Sequence, residues 1–210
     1  PKDSAMLFKP VRLLALVKDC EGKHTEAEQL MHKAHSYIAN DPDIKHGEIQ
    51  QFVCEELMKI CMRRKDLMKG LQYANEDYEG IKRKNFPEDH LIHSDSCVRR
   101  AQVQMCLQAH IAESEINLLK ALKIRENKLG ENSVPVADVL VMISKVREAM
   151  KNVSEADNES LLLRAKKIYL LHDGVQKALP FHQHIDADID RIRALRNNVP
   201  ELLNNNMNHI

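Results

Sequence analysis

Four segments of this sequence end alike. Residues 25–34 read TEAEQLMHKA, 65–74 KDLMKGLQYA, 112–121 AESEINLLKA and 156–165 ADNESLLLRA. Each has a bulky apolar residue three or four places before its closing Ala, and a Lys, Arg or Tyr directly before it. The closing residues Ala34, Ala74, Ala121 and Ala165 are 40, 47 and 44 residues apart. Apolar residues at three- and four-residue steps predict a helix in each segment. A small residue recurring at one helical position is what close packing on a neighbour requires. Self-similarity at such a period marks an array of supersecondary units, each too small to bury its own apolar face.

The stretches between these segments are helical as well. Val11, Leu14, Ala15 and Lys18 fall on one stripe, which Gly22 ends. Thr25 with Glu28 predicts a capping box for the next helix, whose apolar stripe is Ala27, Leu30, Met31, Ala34 and Ile38 before the stop at Asn40-Asp41-Pro42. The same plan recurs over 49–62 and 66–81, over 96–109 and 114–129 with Gly130 as C-cap, and over 136–150 and 158–172. Pro135 stands before the seventh helix and Gly174 after the eighth. Ile185, Ile189, Ile192 and Leu195 then form a narrow stripe over 181–196, which reads as an element covering the last apolar face. The expected fold is all-α: about four helix pairs in a domain over 8–174, then a capping helix and an Asn-rich tail over 175–210.

Composition agrees. Aromatics make up 4% of the 210 residues and Trp is absent, so the core must be aliphatic. Six Gly and seven Pro are too few for an all-β chain with many tight turns. Acidic and basic residues number 31 each, which excludes a general nucleic-acid binder; the runs Arg63-Arg64-Lys65 and Lys82-Arg83-Lys84 read as solvated helix ends. No apolar run is long enough for a membrane span and no stretch reads as a signal peptide. Five cysteines (Cys20, Cys54, Cys61, Cys97 and Cys106) without a C-x-x-C pair predict reduced, mostly buried thiols, hence an intracellular, cytoplasmic protein. The sequons at Asn152 and Asn158 would matter only in a secreted chain.

Catalytic motifs are missing. There is no G-x-S-x-G, no Gly-rich phosphate loop and no H-E-x-x-H. His90, His93 and Cys97 give H-x-x-H-x-x-x-C in an expected loop, and His182 with His184 gives H-x-H, but neither has a zinc ligand set. Cys54 and Cys61 share a helix face with Leu57 and read as core, as do Met58, Met62, Met68 and Met105. Glu55-Glu56 is expected on a helix exterior, with no pocket for acid–base chemistry. The sequence therefore predicts no enzyme, no cofactor and no metal site.

The first unit resembles the tetratricopeptide repeat (TPR). Leu14-Ala15, Gly22, Glu26-Ala27 and Ala34 stand where that motif has its large–small pair, turn Gly and two small residues, while Val11, Lys18 and His24 replace its aromatics. Residues 120–140, KALKIRENKLGENSVPVADVL, are similar to the long repeat of kinesin light chains through Ala121, Leu122, Ile124, Arg125, Glu126, Leu129, Gly130, Pro135, Val136 and Ala137. The resemblance covers roughly residues 8–172. It implies a right-handed superhelical stack whose first helices line a concave groove for a peptide or a partner helix. The groove positions it implies are Arg12 and Leu16, then Phe52, Glu56 and Lys59, then Arg99 and Val103, then Val141, Lys145 and Glu148.

Leu16 stands at an Asn place of the chaperone-tail-binding repeats, and Val141-Met142 replaces the paired Asn of kinesin light chains. Such a groove suits an amphipathic helix or a folded surface over an extended acidic tail. The expected function is a protein-interaction scaffold or adaptor with no nucleic-acid or membrane partner. The alternatives are an accessory region of a larger enzyme, as in SET–MYND methyltransferases, and self-association through the repeat ends.

Overall fold

The computed structural model describes residues 6–37, 46–83, 86–151, 154–172 and 184–195, without the side chains of 46–50. Ile38, the Asn40–Pro42 stop, Asn152, Gly174, Phe181, His182 and the tail from residue 196 lie outside them. The helices are α1 (Phe8–Cys20), α2 (His24–Ser36), α3 (His46–Arg63), α4 (Leu67–Lys82), α5 (Leu91–Cys106), α6 (Ile111–Leu129), α7 (Val134–Met150) and α8 (Glu155–His172), with a short 3₁₀ turn at Gln108–His110. Residues 184–195 form α9. There is no strand among the described residues. The all-α stack of helix pairs expected from the sequence is the observed fold class.

The chain divides into two compact units, 1–110 and 111–210. In the first, α1 packs on α2, α2 on α3, α3 on α4 and α4 on α5. Ala15, Met31, Val53, Leu57, Cys61, Ala74 and Val103 form its core. The α1–α2 turn closes with bonds from Gly22 N to Asp19 O and from Lys23 N to Lys18 O. That pattern needs a left-handed residue, and Gly22 supplies it at φ +77°. The α3–α4 turn repeats both bonds, Lys65 N to Met62 O and Asp66 N to Cys61 O, with Lys65 at φ +63°. At Gly70 an added Cβ would sit 3.6 Å from Cys61 Cβ and 3.7 Å from Val103 Cγ1, so three helices converge there.

Several local expectations are corrected. Thr25 does not cap α2, which starts at His24 with no side-chain cap. Glu28 instead turns inward, where its carboxylate accepts from Tyr73 Oη at 2.9 Å and pairs with Arg64 at 3.1 Å and Lys69 at 2.5 Å. Leu14 and Met68 face solvent, because the stripes that pack use Ala15 on α1 and Leu71 on α4. Helix α5 begins at Leu91 with His90 as its cap, so His93 and Cys97 lie one turn apart in a helix, both buried, not in a loop.

In the second unit α6 packs on α7 and α7 on α8. Gly130, at φ +85°, ends α6, and Pro135 sits in the first turn of α7. Three side chains clamp the connection: Arg125 donates to Pro135 O at 2.8 Å, Arg164 to Glu131 O at 3.2 Å, and the His172 ring bonds Asn132 O. Ile185, Ile189 and Ile192 of α9 complete a core with Val136, Leu140, Leu162 and Ile168. Lys166–Asp186, Arg191–Glu148 and Arg193–Glu159 pin α9 at 2.5, 3.0 and 2.6 Å.

The repeat-closing residues Ala34, Ala74, Ala121 and Ala165 are all buried. Of the four expected pairs, α1/α2, α3/α4 and α7/α8 each lie within one unit, whereas α5 belongs to the first and α6 to the second.

Candidate functional site

The first unit brings most of its expected groove residues together on its first helices. Arg12 of α1 lies over the Phe52 ring of α3, its guanidinium carbon 4.8 Å from the ring centroid. Leu16 and Phe52, both half-buried, pack against the unit's core, one from each helix. Arg12 Nε is buried and has no hydrogen-bond partner among the described residues. Stacking on an aromatic face holds such a guanidinium in place without neutralising it.

Two turns along α3 from Phe52, Lys59 binds Glu55 at 2.7 Å and Glu56 at 2.9 Å. Burial works against its ammonium, but the hydrogen bonds it donates to these two carboxylates prevail and raise its pKa above the usual lysine value. Glu56 is buried, not on the helix exterior as expected, because its carboxylate is drawn to this pair. Arg99 of α5 continues the chain. It donates from Nε and Nη2 to Asp77 Oδ2 at 3.1 and 2.9 Å and reaches Glu55 at 3.5 Å. Its side chain is 11% exposed. Arg99 therefore ties α3, α4 and α5 together inside the unit, and it has little surface left for a partner. Val103, expected beside it, is fully buried in the core and offers none.

The second unit places its three expected residues separately. Val141 packs against the core, Lys145 is exposed, and Glu148 is held by Arg191 of α9. Glu55 and Asp77 were missed as members of the cluster. Their partner Arg99 is 22 residues from Asp77 and 44 from Glu55, a distance at which no helical spacing rule speaks.

A concavity lies elsewhere, an open trough of about 790 Å³ along α4 from Asp66 to Arg83. Its described lining comes from that one helix, so no groups converge on it from a second element. Among the described residues no three His, Cys, Asp or Glu side chains are grouped to hold a metal ion. The His93 ring bonds Phe86 O at 3.3 Å, and His90 Nδ1 accepts from Ile92 N at 3.2 Å. Burial, then the nearby Glu28 carboxylate, push the Cys61 thiol up to about 11, so it stays protonated and unreactive. No described helix is long and apolar enough to cross a membrane.

Pairs of antiparallel helices with buried alanines at a repeating position define a helix-pair repeat protein. No family model matches the sequence and no curated protein matches it. Solved structures do. The TPR-like repeats of the kinesin light chain type from Podosopora anserina match with 14% identity and a TM-score of 0.71, covering 96% of this chain and 93% of that one. A single-substitution form of those repeats matches with 16% identity and a TM-score of 0.72 over the same shares. BtubC (BKLC) from P. vanneervenii matches with 18% identity and a TM-score of 0.57, covering 94% and 84%. The fold of this chain is that of kinesin-light-chain-type TPR-like repeats.

Proposed function

We propose that the protein is an interaction scaffold whose first unit receives a partner helix or peptide on α1 and α3. One observation carries the reading: Arg12 is stacked on Phe52 beside Leu16, a fixed cation framed by apolar surface. Interface hot spots are built this way, with an aromatic or Arg anchor enclosed by apolar contact. Lys59 and the edge of the Glu55–Glu56 pair supply the polar rim. Arg99 acts as the brace that keeps α3 and α5 in register, not as a contact.

The test is photo-crosslinking from position 16 in cells, with an equivalent probe at Gln72 on α4 as control. The expected result is a defined crosslinked partner from position 16, reduced at least tenfold in Arg12→Glu while the melting temperature is unchanged. Crosslinks to a defined partner from position 72 alone would overturn the assignment to the first helices. An undiminished product in Arg12→Glu would remove Arg12 from the site.

A further inference from the structure

Helix α1 is apolar on two sides. Its inner side packs Ala15, Leu16 and Phe8 into the first unit. Its outer side carries Leu7, Leu13, Leu14 and Val17 at 46%, 53%, 46% and 52% exposure, with Met6 beside them at 76%. Leu7, Leu14 and Val17 follow helical spacing, so these side chains form one stripe. A helix that is apolar all round belongs between two layers. The described residues supply one of them, because α1 has its main packing on α2.

The second unit shows how this fold closes an apolar edge. In the second unit Ile185, Ile189 and Ile192 of α9 cover the last pair and are each 3% exposed. Nothing comparable lies on the outer side of α1 among the described residues.

We infer that the outer face of α1 is a self-association surface, and that its occupant is α1 of a second copy of this chain. Size argues for that occupant. The five side chains leave a patch on the order of 500 Å², the upper range for a monomer surface. Two such faces in contact bury on the order of 1,000 Å², the lower bound for a specific interface. A two-fold pairing makes one patch complementary to itself, so no second kind of surface is needed. The charges do not oppose it. Glu21, at the far end of the helix, is paired with both Lys18 and Lys23. With an apolar centre, paired charges at the far end and Lys9 alone at the edge, the association should depend little on salt.

The inference is separate from the reading above: the exposed stripe borders Leu16 only at Leu13, and its test reads mass in solution, not a crosslinked partner. Sedimentation velocity of the full chain at 10–100 µM tests it, on the order of the concentrations a minimal interface needs. The expected result is twice the monomer mass at the upper end, unchanged by 0.5 M salt in keeping with an apolar contact. Leu13→Glu with Val17→Glu should sediment as a monomer with wild-type helicity and melting temperature, because both positions face solvent. A wild-type chain that stays monomeric throughout overturns the proposal and assigns the face to another sequence. A double variant that still dimerises overturns it by moving the interface elsewhere. Should the double variant fail to fold, Leu14→Lys alone gives the same two outcomes.

Discussion

Glu28 shows what one inward-facing carboxylate does for this fold. It belongs to α2, yet its partners Arg64, Lys69 and Tyr73 all come from the next pair. Burial alone would raise its pKa, but the hydrogen bonds from Lys69 and Tyr73 and the charge of Arg64 win and lower it. A carboxylate whose folded pKa is depressed stabilises the fold above its unfolded pKa, and that stability is lost as the pH falls through the folded value. Glu28→Gln keeps an acceptor for Tyr73 but leaves Arg64 and Lys69 without their shared anion. We expect it to cost about 3 kcal/mol at pH 7, near the lower end for breaking a buried pair. The cost should be smaller at pH 3 than at pH 7, because the stability a depressed carboxylate contributes is lost as the pH falls. Urea unfolding of both proteins at the two pH values measures this; equal differences at both would remove the charge from the explanation. His32 adds to the cluster, its ring bonding Tyr73 Oη at 2.9 Å, so the two pairs share a polar contact within an aliphatic core.

At the scale of the element, the α1–α2 and α3–α4 turns solve one problem with different residues. Both end a helix with the same pair of backbone bonds, and both hold the critical residue left-handed, Gly22 in one and Lys65 in the other. Only glycine takes that conformation without steric cost. Lys65→Gly should therefore stabilise by about 0.5 kcal/mol, relief partly offset by the freer unfolded chain, and Gly22→Ala should destabilise by about 1 kcal/mol. Thermal unfolding of the two variants, read for opposite signs, checks the assignment. The contrast also explains what could be read from the chain beforehand. The Gly22 turn was legible because its residue announces it; the Lys65 turn was not, because packing of α3 on α4 imposes the conformation. The alanine register was legible for the same reason, since close helix approach admits few residues. Arg99, Glu56 and Val103 misled for a physical reason. A helical wheel tells which face a residue occupies, but whether that face meets solvent or a carboxylate from another helix depends on tertiary neighbours. The start of α5 was missed by one turn because its cap is His90, whose Nδ1 does what a Ser or Asp usually does.

At the scale of the whole molecule, the two units have separate cores. That of the first draws on α1 to α5, and that of the second on α7, α8 and α9. Repeat arrays are held by neighbouring elements, so damage should stay close to where it is made. Ile189 is the sharpest place to ask. It is the middle of the three buried isoleucines of α9, and the ion pairs around it are partly exposed and contribute little by themselves. Ile189→Ala should cost about 2–4 kcal/mol through lost contacts and the void left behind. Because α9 is an end element, most of that loss should appear as local opening. Hydrogen exchange followed by mass spectrometry should then show faster exchange in α7, α8 and α9, with α1 to α4 as protected as in the wild type. If protection fell equally across all nine helices, the chain would unfold as one cooperative body and the two cores would be one thermodynamic unit. If only α9 lost protection, the last pair would stand without its cover, and α9 would be an appendage on a core that α7 and α8 already complete. The predicted outcome lies between these, because Val136, Leu140, Leu162 and Ile168 bury their side chains against the same three isoleucines and cannot keep that burial once α9 loosens.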